Sequence, residues 1–179
     1  GAKEHKMGFR LSDTTEVVLE NVRVPRSAVI GEVGCGMSIA LNALNLSRAF
    51  ISTLAVGIMQ RALDEAVAYA KQRKQFGKRL IDFEMVQQML ADMAIKTEAA
   101  RVLVNNCMRQ MDAGEMVRKD GAIVKTFVTD AMQEVVSNAV QVLGGYGYSE
   151  EYPVEKLMRD AKIFQIFEGS NQIQRMTIA

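Results

Sequence analysis

The chain has 179 residues, with 22 Lys and Arg against 21 Asp and Glu, and 49% of its residues are hydrophobic. These values are typical of one ordinary globular domain. A formal net charge of +1 provides no field that would attract nucleic acid or anionic lipid, so neither partner is expected.

The cysteines and the histidine argue against three classes of site. Cys35 and Cys107 lie far apart, and His5 is the only histidine. A zinc cluster, a disulfide scaffold and a catalytic triad are therefore disfavoured, and no metal is expected. Two lone thiols and the absence of an apolar leader fit an intracellular, reducing compartment. Because Gly1 is not an initiator methionine, we expect the sequence to be a fragment of a longer chain.

The first third of the chain contains a predicted β-segment followed by a loop. Thr14–Pro25 is rich in β-branched residues and ends at a proline, which predicts one or two short strands. In the loop, Gly34-Cys35-Gly36 is similar to the start of a dinucleotide-binding fingerprint. Ile39 stands where the third glycine is required, and no βαβ unit follows, so this interpretation is disfavoured.

Helical periodicity dominates the rest of the sequence. The predicted helices cover about 37–73, 82–112, 118–143 and 154–167, with a last one from 170 or 171. Three long helices and a broken fourth, joined by short glycine-bearing turns, predict an all-α, up-and-down antiparallel four-helix-type bundle.

Arg48 is the only charged residue between Glu32 and Arg61. Such an apolar stretch is compatible with a membrane span, but its interspersed Asn and Ser residues favour a helix buried inside the bundle. A buried guanidinium needs an acceptor. Either Arg48 forms a structural ion pair with a carboxylate on a neighbouring helix, or it shapes a ligand site.

Glu168 follows the apolar run Ile163–Phe167 and precedes Gly169. Apolar neighbours can desolvate a carboxylate and make it useful as a general base, whereas a glutamate at a helix end is more often solvated. The glycine permits close approach of the backbone to a ligand.

Two turns could hold a phosphate or an adenine, although each is also compatible with a simple helix end. They are Arg73–Gly77 and Gln141–Gly147.

Taken together, these segments resemble the acyl-CoA dehydrogenase family, in order and over essentially the whole chain. The segments that carry the resemblance are 6–8, 12–14, 22–25, 73–77, 90–94, 141–148, 159–163 and 167–175. The resemblance covers only the C-terminal part of that family's usual chain. It implies that residues 1–31 are the tail of the middle β-domain with a linker, and that residues 32–179 are the C-terminal helical bundle.

The resemblance also implies an activity. Members of the family are FAD enzymes that oxidise an acyl-CoA thioester to the trans-2-enoyl-CoA and pass electrons to an electron-transfer flavoprotein. Glu168 matches the base that removes the α-proton, and its backbone N–H matches a group that polarises the thioester carbonyl. Ser47 stands at the alternative position for the base and cannot serve as one. Arg48 matches a partner that orders the base, and Arg48, Phe167 and Gly169 are the implied substrate-binding residues.

The implied cofactor contacts come from both turns and from the segment after the base. The matching residues are Arg73, Phe76, Gln141, Gly144, Gly145, Ser170 and Gln172. In the family, Arg73 and Phe76 correspond to residues that reach the FAD of a neighbouring subunit, which implies a homo-oligomer, a dimer of dimers. The family is found in the bacterial cytoplasm or, in eukaryotes, the mitochondrial matrix. The alternative function is a non-catalytic helical assembly module formed by these 179 residues alone.

Overall fold

The computed structural model describes residues 1–115 and 117–179, and α-helices make up most of them. The helices are α1 (Gly36–Gln72), α2 (Glu84–Asp112), α3 (Arg118–Leu143), α4 (Val154–Ala161) and α5 (Asn171–Ile178). The predicted all-α bundle is confirmed. The predicted fourth helix is shorter than expected, because α4 ends at Ala161 and a 3₁₀ turn, Lys162–Gln165, replaces its last part.

Helix α3 is the centre of the bundle. It packs against α1, α2, α4 and α5, and α1 and α2 also contact each other. Alanines on α1 face this centre with no exposed surface, and such small side chains let the neighbouring backbones approach closely. A chain with short connections thus builds its core from three long helices and closes it with two short ones.

The prediction that α1 lies buried inside the bundle is right for only one stripe. The buried stripe runs from Arg48 to Ala70, whereas apolar residues on other faces, including Phe50 and Leu54, are exposed. The reason is that α2 and α3 cover only one side of the helix. By length and composition α1 passes the test for a membrane-spanning helix, as core helices also do. Its contacts with α2 and α3 place it in the bundle.

The prediction of strands within Thr14–Pro25 is wrong for this chain. Among the described residues this segment forms no strand ladder, and the backbone bond from Glu4 N–H to Thr14 O is one of the few that hold it. A strand needs a neighbour, and this segment has none among the described residues. The observed strands are β1 (Lys74–Gln75) and β2 (Lys78–Arg79), an antiparallel hairpin between α1 and α2.

Candidate active site

The sequence-predicted catalytic residue, Glu168, lies in a tight turn between the 3₁₀ segment that follows α4 and the start of α5. Its φ is +56°, and that of Gly169 is +83°. A left-handed conformation costs a non-glycine residue about 1–2 kcal/mol, so surrounding contacts must hold it. Within the described residues, the main-chain N–H of Glu168 has no hydrogen-bond acceptor. The turn therefore presents a carboxylate and a free N–H together.

The carboxylate of Glu168 is bound by Ser47. Ser47 Oγ donates to Glu168 Oε2 at 2.5 Å, across the gap between α1 and the turn. This contact was not predicted, because in the sequence Ser47 is only a position that lacks a base. A hydroxyl beside a lone arginine on one helix was the available signal, but nothing in the sequence placed it opposite residue 168.

Arg48 is buried, as expected, with 7% of its surface exposed, but it does not form an ion pair with Glu168. Its Nη1 donates to Asn45 Oδ1 at 3.1 Å, and its Nε finds no partner among the described residues. Burial lowers the pKa of Arg48, Arg118 lowers it further, and Glu168 opposes both. Among the described residues Arg48 therefore forms no structural ion pair: Asn45 accepts from the guanidinium, and Ser47 donates to the Glu168 carboxylate.

A second cation, Lys125 on α3, is completely buried beside the same turn. Burial lowers its pKa to about 8, Asp130 and Glu168 act to raise it, and Arg48 acts to lower it. Its Nζ donates to Gly169 O at 2.9 Å and to Asn171 Oδ1 at 2.7 Å. Sequence analysis missed Lys125, because a single lysine inside an amphipathic helix carries no signal that it faces inward.

Phe167 forms an apolar wall next to Glu168, as expected. Its ring lies 5.0 Å from that of Phe164 and 6.5 Å from that of Phe9, in edge-to-face contacts. Phe9 comes from the N-terminal segment and is fixed there because its N–H donates to Asp160 Oδ1 at 2.5 Å. The wall is thus assembled from two distant parts of the chain.

The predicted cofactor residues after the base lie at the start of α5. Ser170 is the N-cap of α5, and its Oγ accepts from Ile173 N–H, while Gln172 is exposed. Gly169 packs so closely that a Cβ there would lie 2.5 Å from Gln174 Nε2. That amide donates to the carbonyls of Glu168 and Gly169, at 3.0 Å each.

Arg73 and Phe76 lie at the β-hairpin. Phe76 and Gly77 have φ values of +51° and +81°, which is the pattern of a tight hairpin turn. Phe76 is 93% exposed, and the Arg73 guanidinium lies over the Tyr146 ring, 5.5 Å from its centroid. An exposed aromatic ring on a strained turn beside an arginine is suited to contact a ligand.

The second predicted turn, Gln141–Gly147, lies next to Arg73 and the hairpin. Arg73, Gly144, Gly145 and Tyr146 line a cavity of about 580 Å³. A Cβ at either glycine would meet nothing within 4 Å, so the main chain there is open to a ligand. Gln141, one turn earlier on α3, is exposed.

The predicted residues around Glu168 and those around Arg73 therefore lie at opposite ends of the bundle. Arg48 and Arg73 are separated by 25 positions along α1, which ends at Gln72, and at 1.5 Å per residue this is about 37 Å. Glu168 lies at the Arg48 end, through its bond to Ser47. The structure thus forms two separate clusters of predicted residues, one around Glu168 and one around Arg73.

Comparison with known proteins identifies the family to which this fold belongs. Residues 34–179 match the family model described as "Acyl-CoA dehydrogenase, C-terminal domain". The chain belongs to the acyl-CoA dehydrogenase family, as the resemblance implied.

Individual relatives agree with this membership. The chain is 49% identical over its whole length to a probable acyl-CoA dehydrogenase of Mycobacterium tuberculosis, covering 46% of that protein. It is 43% identical to the caffeyl-CoA reductase-Etf complex subunit CarC of Acetobacterium woodii, covering 47% of it. Butyryl-CoA dehydrogenase from Megasphaera elsdenii superposes on 99% of the chain with a TM-score of 0.97 at 46% identity, which covers 46% of that structure's chain. The chain thus spans about half the length of these relatives.

Proposed function

We propose that this chain is the C-terminal part of an FAD-dependent acyl-CoA dehydrogenase, which converts an acyl-CoA thioester to the trans-2-enoyl-CoA. The observation that carries the proposal is the Glu168 turn. It presents at a single place a carboxylate held by Ser47, an aromatic wall, and an N–H that has no acceptor within 1–115 and 117–179. Family membership supplies the reaction class.

In this proposal Glu168 is the general base. Its carboxylate takes the proton from the α-carbon, so that a C–H bond breaks and an O–H bond forms on the glutamate. The α-proton is acidic enough only if the thioester carbonyl is hydrogen-bonded, and the free N–H of Glu168 is a suitable donor. Phe167 keeps water from the carboxylate on one side.

Arg48 is proposed to shape the acyl-CoA pocket rather than to bind the base. Its buried Nε has no partner among the described residues, and such a donor is costly unless a ligand oxygen satisfies it. The guanidinium also keeps a positive potential near Glu168. Gly169 allows close packing of the turn on Gln174.

The residues present fit an FAD. Arg73 and the open main chain at Gly144 and Gly145 suit a diphosphate, and exposed Phe76 suits an adenine. Gln141, Ser170 and Gln172 are proposed to complete the set. FAD, when bound, accepts the hydride that leaves the β-carbon.

We further propose that this FAD site is shared between two chains. About 37 Å separates Arg73 from the Glu168 end of the bundle, so one flavin uses the Arg73 end of one chain and the Glu168 end of another. This favours a homo-oligomer, such as a dimer of dimers. An electron-transfer flavoprotein is the proposed electron acceptor, with support from a relative named as part of an Etf complex. The bacterial cytoplasm or the mitochondrial matrix remains the proposed location.

A second candidate function is an assembly module without catalysis when these 179 residues stand alone. Exposed apolar side chains on α1, such as Phe50 and Leu54, favour contact with another surface. The visible absorption spectrum separates the two candidates, because only a chain that binds flavin is yellow.

The deciding experiment for the first candidate uses Glu168→Gln in the full-length protein, which keeps size and hydrogen bonding but removes the proton acceptor. The protein is mixed anaerobically with a panel of saturated acyl-CoAs, including butyryl-CoA, and the reduction of its flavin is measured. We expect reduction to slow by about 10²–10⁴-fold, while binding of the enoyl-CoA changes little. Glu98→Gln, an exposed change on α2, is the control. Reduction by the Glu168 variant within a few-fold of wild type would overturn the assignment of the base.

A further inference from the structure

Lys125 is a fully buried cation that the proposed reaction does not use. Removing an ammonium from water is costly unless strong hydrogen bonds replace its hydration. The two acceptors of its Nζ are Gly169 O and Asn171 Oδ1, which lie one and three residues after the base. The cation is thus attached to the segment that carries Glu168.

The turn needs such an attachment. Two successive residues, Glu168 and Gly169, have left-handed φ values, and the first of them is not a glycine. Conformations of this kind persist only where several contacts determine them. The carbonyls of the turn are held from two sides, by Gln174 on α5 and by Lys125 on α3.

Lys125 is itself fixed in place through Asn171. The Asn171 amide donates to Thr129 Oγ1 at 2.8 Å and to Asp130 Oδ1 at 2.7 Å, both on α3. Asp130 in turn accepts from Arg175 on α5 at 2.7 Å. This network therefore attaches the turn to α3, the central helix of the bundle.

We propose that Lys125 is a positioning residue, which holds the Gly169 carbonyl and thereby fixes the Glu168 carboxylate and N–H in the orientation for proton abstraction. This inference rests on the proposed function of Glu168. Lys125 touches neither substrate nor flavin in it, and acts through the main chain of the turn. Removal of its ammonium should loosen the turn without weakening binding of acyl-CoA.

The test is Lys125→Met in the full-length flavoprotein, a change that keeps side-chain length and removes every donor. Hydrogen exchange measured by mass spectrometry on peptides spanning 166–171 reports the turn directly, without use of the reaction. We expect at least tenfold faster exchange there, and flavin reduction at least tenfold slower with the acyl-CoA that the wild type oxidises fastest, as for loss of a charge-assisted hydrogen bond. The dissociation constant of the corresponding enoyl-CoA should change less than threefold.

Lys119→Met, an exposed change on the same helix, is the matched control and should behave as wild type. A purely structural role predicts a lower melting temperature with unchanged exchange in 166–171, and that result would overturn the proposal, as would flavin reduction within threefold of wild type. If Lys125→Met does not fold, Asn171→Leu removes one acceptor of the ammonium and is judged by the same criteria. Because exchange does not depend on the reaction, it tests Lys125 even if Glu168→Gln shows that another residue is the base.

Discussion

Ser47 Oγ lies 2.5 Å from Glu168 Oε2, although 121 positions separate the two residues in the sequence. This bond links the first long helix of the bundle to the turn that carries the proposed base. Arg48, which the resemblance implied as the partner that orders the base, makes no hydrogen bond to Glu168 and donates to Asn45 instead. The partner of the base is therefore a neutral donor, with Arg48 acting only through its field.

The Ser47 hydroxyl should contribute to the reaction rate. Ser47→Ala removes one donor that orients the Glu168 carboxylate, so we expect flavin reduction to slow by about three- to tenfold, the usual range for one hydrogen bond of 0.5–1.5 kcal/mol. Stopped-flow absorbance at the flavin band measures this. Thr53→Val is the control, because Thr53 donates only to Ala49 O on its own helix. Equal rates for Ser47→Ala and wild type would show that the bond has no role in orienting the base.

Gly169 should tolerate no larger residue. Gly169→Ala places a Cβ 2.5 Å from Gln174 Nε2 at a φ of +83°, so both steric overlap and backbone strain oppose it. We expect the free energy of unfolding to fall by about 1–3 kcal/mol, measured by denaturant titration. Gly57→Ala on α1 is the matched control, since its Cβ would meet nothing within 4 Å and should raise helix stability by up to about 1 kcal/mol. A Gly169 variant as stable as wild type would contradict the packing described for the turn.

Lys125 should make stability depend on pH in a defined direction. Its pKa is about 8 in the fold, mainly because of burial, against about 10.4 in an unfolded chain. Between these values the unfolded chain binds more protons, so the free energy of unfolding rises with pH. Burial is the main cause of the lowered pKa of Lys125. Arg48 also lowers this pKa, whereas Asp130 and Glu168 raise it.

The comparison that isolates this effect is wild type against Lys125→Met, by thermal or denaturant unfolding at pH 7.5 and 9.5. Other titrating groups are shared and cancel in the difference. Between pH 7.5 and 9.5 the free energy of unfolding of the wild type should rise by about 1–2 kcal/mol relative to that of Lys125→Met. Lys119→Met, which changes an exposed lysine, should show no such gain. If the difference in free energy of unfolding between wild type and Lys125→Met does not change with pH, Lys125 is not desolvated in the fold.

Two inactive chains should restore activity when mixed, if the proposed flavin site is shared between chains. One carries Arg73→Ala and the other Glu168→Gln, changes at opposite ends of the bundle. In oligomers reassembled from equal amounts, about a quarter of the sites receive an intact Arg73 from one chain and an intact Glu168 from the other. Flavin reduction by acyl-CoA in that fraction is the expected result. No recovery in verified mixed oligomers would show that both residues serve the same chain's site.

Local sequence patterns were enough to predict the long helices and their order. The predicted ranges 37–73, 82–112 and 118–143 lie within two residues of the observed ends, because long amphipathic segments bounded by glycine and basic residues carry their own periodicity. The start of α5 was also predicted, because Ser170 is a typical N-cap residue and occupies that position in the structure. Strands within 14–25 were predicted wrongly, because a strand depends on a neighbour that local sequence does not reveal.

Which polar groups meet at the Glu168 turn could not be predicted from local patterns, because it depends on how the helices pack. Ser47 and Lys125 lie on α1 and α3, far in sequence from Glu168, and no local pattern places either of them at the turn. Which face of a helix approaches a turn depends on the packing of the whole bundle. This packing brings Ser47 Oγ to the Glu168 carboxylate and Lys125 Nζ to the Gly169 carbonyl. Helix periodicity is a local property of the chain, whereas these contacts arise only when distant segments are buried against each other.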